Sequence, residues 1–401
     1  MNKKKFLFLS YNYPYGAFGP STMCSVRVMN ELSMINNIEV HCVCINGENA
    51  TYEINPNIII HPINFTPKSN KNIFQYIRWA IFYPIQSFRS GYALYKKCKP
   101  IIDETHYDMV VAQYFQEPSL LAGLLLKRKR CIDNFTVIFW DILYGKVPRR
   151  FLPRWYSLSR QKMAENYVAK YADTLISLYP TKEFHQQKGD VPSAMGKRYY
   201  LGIPSITRPT AKTETAYRSI IKPEKINMLY SGTIFKEEYV RYMVELLNHT
   251  EQAEQINLIF FSRGVDDCVF DSLRQVFKGE ICKSDWIPLK ELLSIYHDID
   301  CFVSFPGNYA SVRSKLYEYV SYGTPVILLY DDNRDVNVTV LSRYPLSLAI
   351  DERIDAGVNA PSVSEFLSKT HGHRLQFEEV EKLFPQDTAS AYVDLLLKQL
   401  D

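Results

Sequence analysis

The sequence predicts two α/β domains in tandem, each built on a parallel sheet, and three observations predict it. Short apolar runs of strand length recur with helix-length segments between them, a βαβ rhythm. The runs are continuous rather than alternating, as in strands buried on both faces. The rhythm stops at a polar stretch near mid-chain and then restarts. A chain of 401 residues suits two domains. With 46% hydrophobic and 22% charged residues and no low-complexity tract, a fold is expected throughout.

Taken in order, strands are expected at Phe6 to Leu9, Ile38 to Ile45, Asn57 to Ile63, Asp108 to Ala112, Phe135 to Trp140 and Thr174 to Leu178. Tyr11, Asn12, Tyr13 and Pro14 cut the first run short of the length a signal peptide needs, so it reads as a strand. From Ser205 to Lys225 the chain carries Pro209, Thr210, Thr213, Thr215 and Pro223 without an apolar period, and reads as a connection. The expected boundaries are a first domain over 1–205, a linker over 206–224, a second domain over 225–384 and a closing helix over 385–401. The second series of strands is Ile226 to Tyr230, Ile256 to Phe261, a piece around Ile281 to Ile287, Ile299 to Phe305 and Pro325 to Tyr330. Ala391, Val393, Leu395, Leu396 and Leu400 then recur at roughly helical spacing. Open parallel sheets bind ligands at the carboxyl ends of their strands, so function is sought there.

Several classes of function are excluded. The eight cysteines show no Cys-x-x-Cys and no paired Cys/His spacing, which reads as reduced buried thiols in a cytosolic protein. Asp298 and Asp300 sit at a helix-to-strand junction, and His371 and His373 lack nearby ligand partners, so no metal is expected. Walker and Gly-x-Gly-x-x-Gly motifs are absent, and no apolar stretch approaches a membrane span. Charge is uneven: residues 1–205 carry +12 and the remainder −8. A basic first half suits an anionic surface. From Lys71 to Lys99 eight aromatic residues interleave with six Lys or Arg and no acid, and Lys127 to Arg130, Arg149, Arg150 and Arg154 extend the charge. That stretch suits the interface of an anionic membrane; the alternative is a helix packed on the first sheet with its basic face in water. The acidic second half and the lack of a nucleic-acid module argue against nucleic acid.

The most informative stretch is IDCFVSFPGNYASVRSKLYEYVSYGTPVILLY, Ile299 to Tyr330. A strand ends at Phe305, a loop with Pro306 and Gly307 follows, a helix begins after Ser311, and Gly323, Thr324 and Pro325 stop it. A helix start beside a strand end presents N–H groups and the positive end of the dipole, which suit a nucleotide's diphosphate. Ser314 and Lys315 add a hydroxyl and a charge, and Glu318 can accept hydrogen bonds from both hydroxyls of a ribose. A surface helix with a solvated Lys and Glu fits the same spacing.

SKLYEYVSYGTPVI, Ser314 to Ile327, resembles the nucleotide-sugar-binding helix and following strand of glycosyltransferase family 4, in the form found in bacterial surface-polysaccharide enzymes. LYSGTIFKEEY (Leu229 to Tyr239), INLIFFSRG (Ile256 to Gly264) and WIPLKELLSIYHDIDCFVSF (Trp286 to Phe305) are similar to that family's preceding landmarks. The first half matches more loosely, through the Gly16 to Gly19 loop, YDMVVAQY (Tyr107 to Tyr114) and YADTLISLYPTKEF (Tyr171 to Phe184).

The resemblance implies the GT-B fold: two Rossmann-like domains facing a central cleft, with the closing helix packed back near the interdomain region. It implies an enzyme that moves a sugar from a nucleoside-diphosphate sugar to a glycan or lipid-linked acceptor at the inner face of the cytoplasmic membrane. Anomeric configuration would be retained, with neither cofactor nor metal. Glu318 matches the family's ribose-holding glutamate and Lys236 its basic residue near the diphosphate. Gly232 lies in the matching turn, Leu316 in the Ser-Lys-Leu helix start, Arg263 after a crevice strand, and Trp286 or Ile287 near the base. A cation or helix N-terminus there would stabilise the departing diphosphate. Asp141, closing the strand that begins at Phe135, is placed to orient or deprotonate an acceptor hydroxyl, or to cap the next segment. Gly16 and Gly19 allow close approach of a phosphate or sugar, or form an ordinary tight turn.

One departure stands out. Many family members carry a second glutamate eight positions before the one matching Glu318, and here that position is Ala310. Asn308, Tyr309 or another loop group contacts the sugar instead, or donor preference differs, or turnover is lost. A non-catalytic GT-B subunit that binds nucleotide or glycan and a nucleotide-sugar epimerase are the competing expectations.

Overall fold

The structure, a computed structural model, describes residues 3–10, 20–45, 54–64, 83–85, 87–114, 117–144, 153–179, 181–307 and 312–400. Expectations placed on Gly16, Gly19, Arg149, Arg150, Asn308, Tyr309, Ala310 and most of the stretch from Lys71 to Ser87 lie outside the described residues. The chain forms two compact units, Met1–Pro204 with Gln386–Asp401, and Ser205–Pro385.

The first unit holds β1 (Lys4–Leu9), β2 (Ile38–Ile45), β3 (Ile59–Ile63), β4 (Met109–Tyr114), β5 (Phe135–Phe139), β6 (Thr174–Leu178) and β7 (Arg198–Leu201). They form one parallel sheet in the order β3-β2-β1-β4-β5-β6-β7. The order reverses between β1 and β4, the topological switch point of a doubly wound sheet. Strand β7 is absent from the sequence reading because RYYL is a half-buried edge strand with no apolar run.

Helices α1 (Pro20–Ser33), α2 (Phe88–Glu104), α3 (Glu117–Arg128), α4 (Arg154–Tyr171) and α5 (Thr181–Lys188) cover that sheet. Helix α2 buries Gly91, Leu94, Tyr95 and Cys98. Gly91 lets it approach α3, since a Cβ there would lie 2.4 Å from the Cβ of Leu121. Phe88 and Tyr92 remain exposed. The described part of the basic, aromatic stretch is therefore a packed helix with an exposed aromatic edge.

The second unit holds β8 (Ile226–Thr233), β9 (Ile256–Arg263), β10 (Glu280–Ser284), β11 (Cys301–Ser304), β12 (Val326–Tyr330) and β13 (Ser347–Asp351), all parallel, in the order β10-β9-β8-β11-β12-β13. Its helices are α6 (Glu237–Asn248), α7 (Asp267–Val276), α8 (Leu289–Ile295), α9 (Ser314–Ser321), α10 (Val336–Leu341), α11 (Ala356–Thr370) and α12 (Phe377–Leu383). The switch point falls between β8 and β11. Residues 206–224, read as a linker, lie on this unit: the Thr213 N–H donates to Ser294 Oγ (2.9 Å), Thr215 Oγ1 donates to Glu291 Oε2 (2.8 Å), and Asn257 Nδ2 donates to the Ile220 carbonyl (2.8 Å).

The closing helix α13 (Ala389–Lys398) is part of the first unit. Tyr392, Val393 and Leu396 join Val26, Met29 and Leu32 in one core. The Tyr392 ring lies 5.2 Å from that of Trp140, and its hydroxyl donates to the Gly202 carbonyl at 2.7 Å. Burial of this apolar face fixes the helix on the first sheet. Among the described residues, no helix is long and apolar enough to cross a membrane.

Candidate functional site

The sequence-predicted donor residues lie at the carboxyl ends of strands in the second unit, because each follows a strand of one parallel sheet. Gly232 is the penultimate residue of β8, with φ of 153°. Lys236 caps the start of α6 and is 57% exposed; its Nζ lies 3.8 Å from Asp331 Oδ2 and 5.1 Å from the centre of the Tyr239 ring. Arg263 ends β9, and its guanidinium stacks 4.7 Å from the centre of the Trp286 ring, which follows β10 and is 52% exposed. Two residues expected near the diphosphate and near the base are thus one stacked pair.

Helix α9 starts past the end of β11, beside the switch point. Its apolar face, Leu316, Tyr317 and Val320, packs into the unit and Gly323, with φ of 67°, ends it. A Cβ on Gly323 would lie 2.0 Å from the Leu375 carbonyl oxygen, so glycine is required there. Lys315 Nζ pairs with Glu318 Oε2 at 2.7 Å, and the Glu318 side chain is 12% exposed. The Leu316 side chain is fully buried, so its expected donor role reduces to its backbone, whose N–H donates to the Arg313 carbonyl at 3.0 Å.

Sequence reasoning missed four residues around this helix. Arg313 sits just before it, with Nη2 2.6 Å from Asp335 Oδ2, Nη1 3.3 Å from Ser304 Oγ and its N–H donated to Asn337 Oδ1 at 2.9 Å. Tyr296, Tyr319 and Ser231 form a buried hydroxyl cluster behind it: Ser231 Oγ lies 2.6 Å from the Tyr296 hydroxyl and 3.1 Å from the Tyr319 hydroxyl. Burial pushes both phenols well above the usual tyrosine range. Arg313 and Ser304 are nine residues apart and the other contacts span tens of residues, so no local motif announces them.

Close to Lys236, burial and the neighbouring Asp331 raise the Glu352 carboxyl to about 7. The edge of the second sheet therefore combines cations, a helix N-terminus and one nearly enclosed carboxylate. That set offers positive charge and N–H donors to an anion and a carboxylate acceptor to hydroxyl groups.

In the first unit Asp141 follows β5, and its Oδ1 accepts the Ile142 N–H at 2.8 Å, so it does cap its own turn. It lines a small cavity with Tyr144, Glu165, Thr181, His185 and Arg198. Arg198 bridges Glu165 (2.6 Å) and Asp190 (2.7 Å), and burial beside that guanidinium pushes His185 down to about 4. Glu165, His185 and Asp190 are close enough to share a metal, but both carboxylates are engaged by the arginine, which fits a cation poorly.

No protein-family profile and no curated relative matches the chain in sequence. Solved structures do match in shape over nearly the whole length. A glycosyltransferase from Rickettsia africae aligns at a TM-score of 0.60 with 10% identity, over 100% of this chain and 98% of that one. Anabaena HepE, crystallised with UDP and glucose, aligns at 0.55 with 10% identity, over 99% of each chain. A Listeria monocytogenes protein assigned as a UDP-N-acetylglucosamine 2-epimerase aligns at 0.56 with 12% identity, over 98% and 95%. At such identities the likeness establishes the fold: two Rossmann-like domains with parallel sheets, the GT-B architecture.

Proposed function

We propose that the protein is a glycosyltransferase that moves a sugar from a nucleoside-diphosphate sugar to a glycan or lipid-linked acceptor in surface polysaccharide synthesis. The observation that carries this reading is Glu318, one turn into α9 and paired with Lys315, beside the switch point of a sheet whose fold is shared with HepE, crystallised with UDP and glucose. The carboxylate would accept hydrogen bonds from both ribose hydroxyls. The α9 start with Ser314, together with Lys236, would meet the negative charge that develops as the diphosphate departs. Trp286, stacked on Arg263, would give the base a flat face. In a retaining reaction the departing phosphate takes the acceptor's proton, and Asp141 has only to orient the acceptor. The basic first unit, with Phe88 and Tyr92 exposed, suits an acceptor at an anionic membrane face.

The test is a transfer assay with UDP-, GDP- and ADP-sugars and lipid-linked or glycan acceptors, run with and without EDTA. Release of nucleoside diphosphate with a glycosylated product of retained configuration is the expected result. Conversion of the donor without any acceptor would instead favour the epimerase reading, which the Listeria structure's similarity supports. Nucleotide binding without turnover would favour a non-catalytic subunit.

A further inference from the structure

Lys315, Tyr296, Ser231 and Tyr319 form one continuous chain of polar contacts between Glu318 and the end of β8. Lys315 Nζ donates to the Tyr296 hydroxyl at 3.2 Å while pairing with Glu318 at 2.7 Å. The Tyr296 hydroxyl lies 2.6 Å from Ser231 Oγ, which lies 3.1 Å from the Tyr319 hydroxyl. The Tyr319 hydroxyl accepts the Ser231 N–H at 2.9 Å and donates to the Ser231 carbonyl at 3.2 Å. Tyr296, Ser231 and Tyr319 are all buried.

The direction of these contacts is fixed where Lys315 meets Tyr296. An ammonium only donates, so the Tyr296 oxygen is an acceptor towards Lys315, while either hydroxyl can supply the proton between Tyr296 and Ser231 Oγ. At the far end the Tyr319 hydroxyl is placed to donate to the Ser231 carbonyl, and it accepts the Ser231 N–H. Bonds aligned this way in a dry interior reinforce one another. The Tyr296 ring also makes T-shaped contacts with Phe302, Tyr319 and Tyr322, with ring centres at 4.8, 5.7 and 5.2 Å. A hydroxyl on so fixed a ring is a rigid anchor for a flexible lysine.

We propose that Tyr296 is a positioning residue of the donor site: its buried hydroxyl holds the Lys315 ammonium against Glu318 and ties that carboxylate to Ser231 and the Gly232 turn. The role rests on the reading of Glu318 as the ribose-binding group. Tyr296 touches no substrate. It fixes the geometry in which Glu318 meets the ribose, and it couples two segments that both border the nucleotide.

The test measures the affinity of the full-length protein for UDP, GDP and ADP by calorimetry in wild type, Tyr296→Phe, Lys315→Met, the double variant and Glu318→Ala. Each variant's melting temperature without nucleotide is read alongside. Tyr296→Phe keeps the ring and is expected to weaken binding about tenfold, the worth of one hydrogen bond to a charged group. Its ligand-free melting temperature falls only modestly, because Ser231 Oγ keeps Tyr319 and Lys315 keeps Glu318, and it has no further effect on affinity once Lys315 is methionine. Tyr319→Phe, which removes the acceptor of the Ser231 N–H, lowers the melting temperature instead. Wild-type affinity in Tyr296→Phe, or additive losses in the double variant, with binding still abolished by Glu318→Ala, would overturn the positioning role and leave the donor site standing. Should Tyr296→Phe fail to fold, wild-type affinity in Lys315→Met overturns the proposal equally. A wild type that binds none of the three nucleotides overturns both readings.

Discussion

Arg313 Nη2 lies 2.6 Å from Asp335 Oδ2, and the Asp335 side chain is 1% exposed. The second oxygen of that carboxylate accepts from both the backbone N–H (2.9 Å) and the side-chain amide (2.6 Å) of Asn337. The residue preceding α9 is thereby pinned to the start of α10. Removing one partner leaves a buried charge uncompensated, so Asp335→Ala is expected to cost about 3 to 5 kcal/mol of unfolding free energy. Urea unfolding checks this. The Arg313→Met, Asp335→Leu double variant is expected to lose less than the two single losses combined.

The stack of Arg263 on Trp286 predicts an optical signature. Nucleotide binding is expected to change tryptophan emission in the wild type and not in Trp286→Phe. Trp286→Ala is expected to weaken binding by about 1 to 3 kcal/mol, the usual worth of base stacking on an aromatic ring. Fluorescence titration measures both.

Glu352 predicts a pH dependence. Its folded value, raised to about 7 by burial and Asp331, lies above the usual carboxylate value of 4.5. Between those two pH values the folded chain binds more protons than the unfolded one, so the group's contribution is fully present below 4.5 and lost as pH rises through 7. Relative to wild type, Glu352→Gln is expected to be near neutral at pH 4 and stabilising at pH 8. After discounting for solvent, the gain is about 1 kcal/mol. Melting temperatures across that range give the slope.

Strand interiors were legible because a central parallel strand must be apolar on both faces, as in Met109–Tyr114 and Ile256–Phe261. The edge strands β7 and β13, RYYL and SLAID, were not, because half-buried residues leave no continuous run. Ser314, Lys315 and Glu318 were readable as a group because one helical turn brings i and i+3 together within the sequence itself. Tyr296, Ser231 and Asp335 were not, since their partners lie 65, 65 and 22 residues away and only the packed sheet edge joins them. Leu316 shows the converse: it sits in the motif, but its side chain belongs to the core.

Thermal-shift titration with UDP, GDP and ADP, wild type beside Glu318→Ala, decides whether Glu318 belongs to a nucleotide site. A ligand that binds only the folded state must raise its stability by mass action, by about 2.7 kcal/mol at a hundred times its Kd. A shift with one of the three nucleotides, lost in the variant, is the expected result. No shift with any of them, or the same shift in Glu318→Ala, would contradict it.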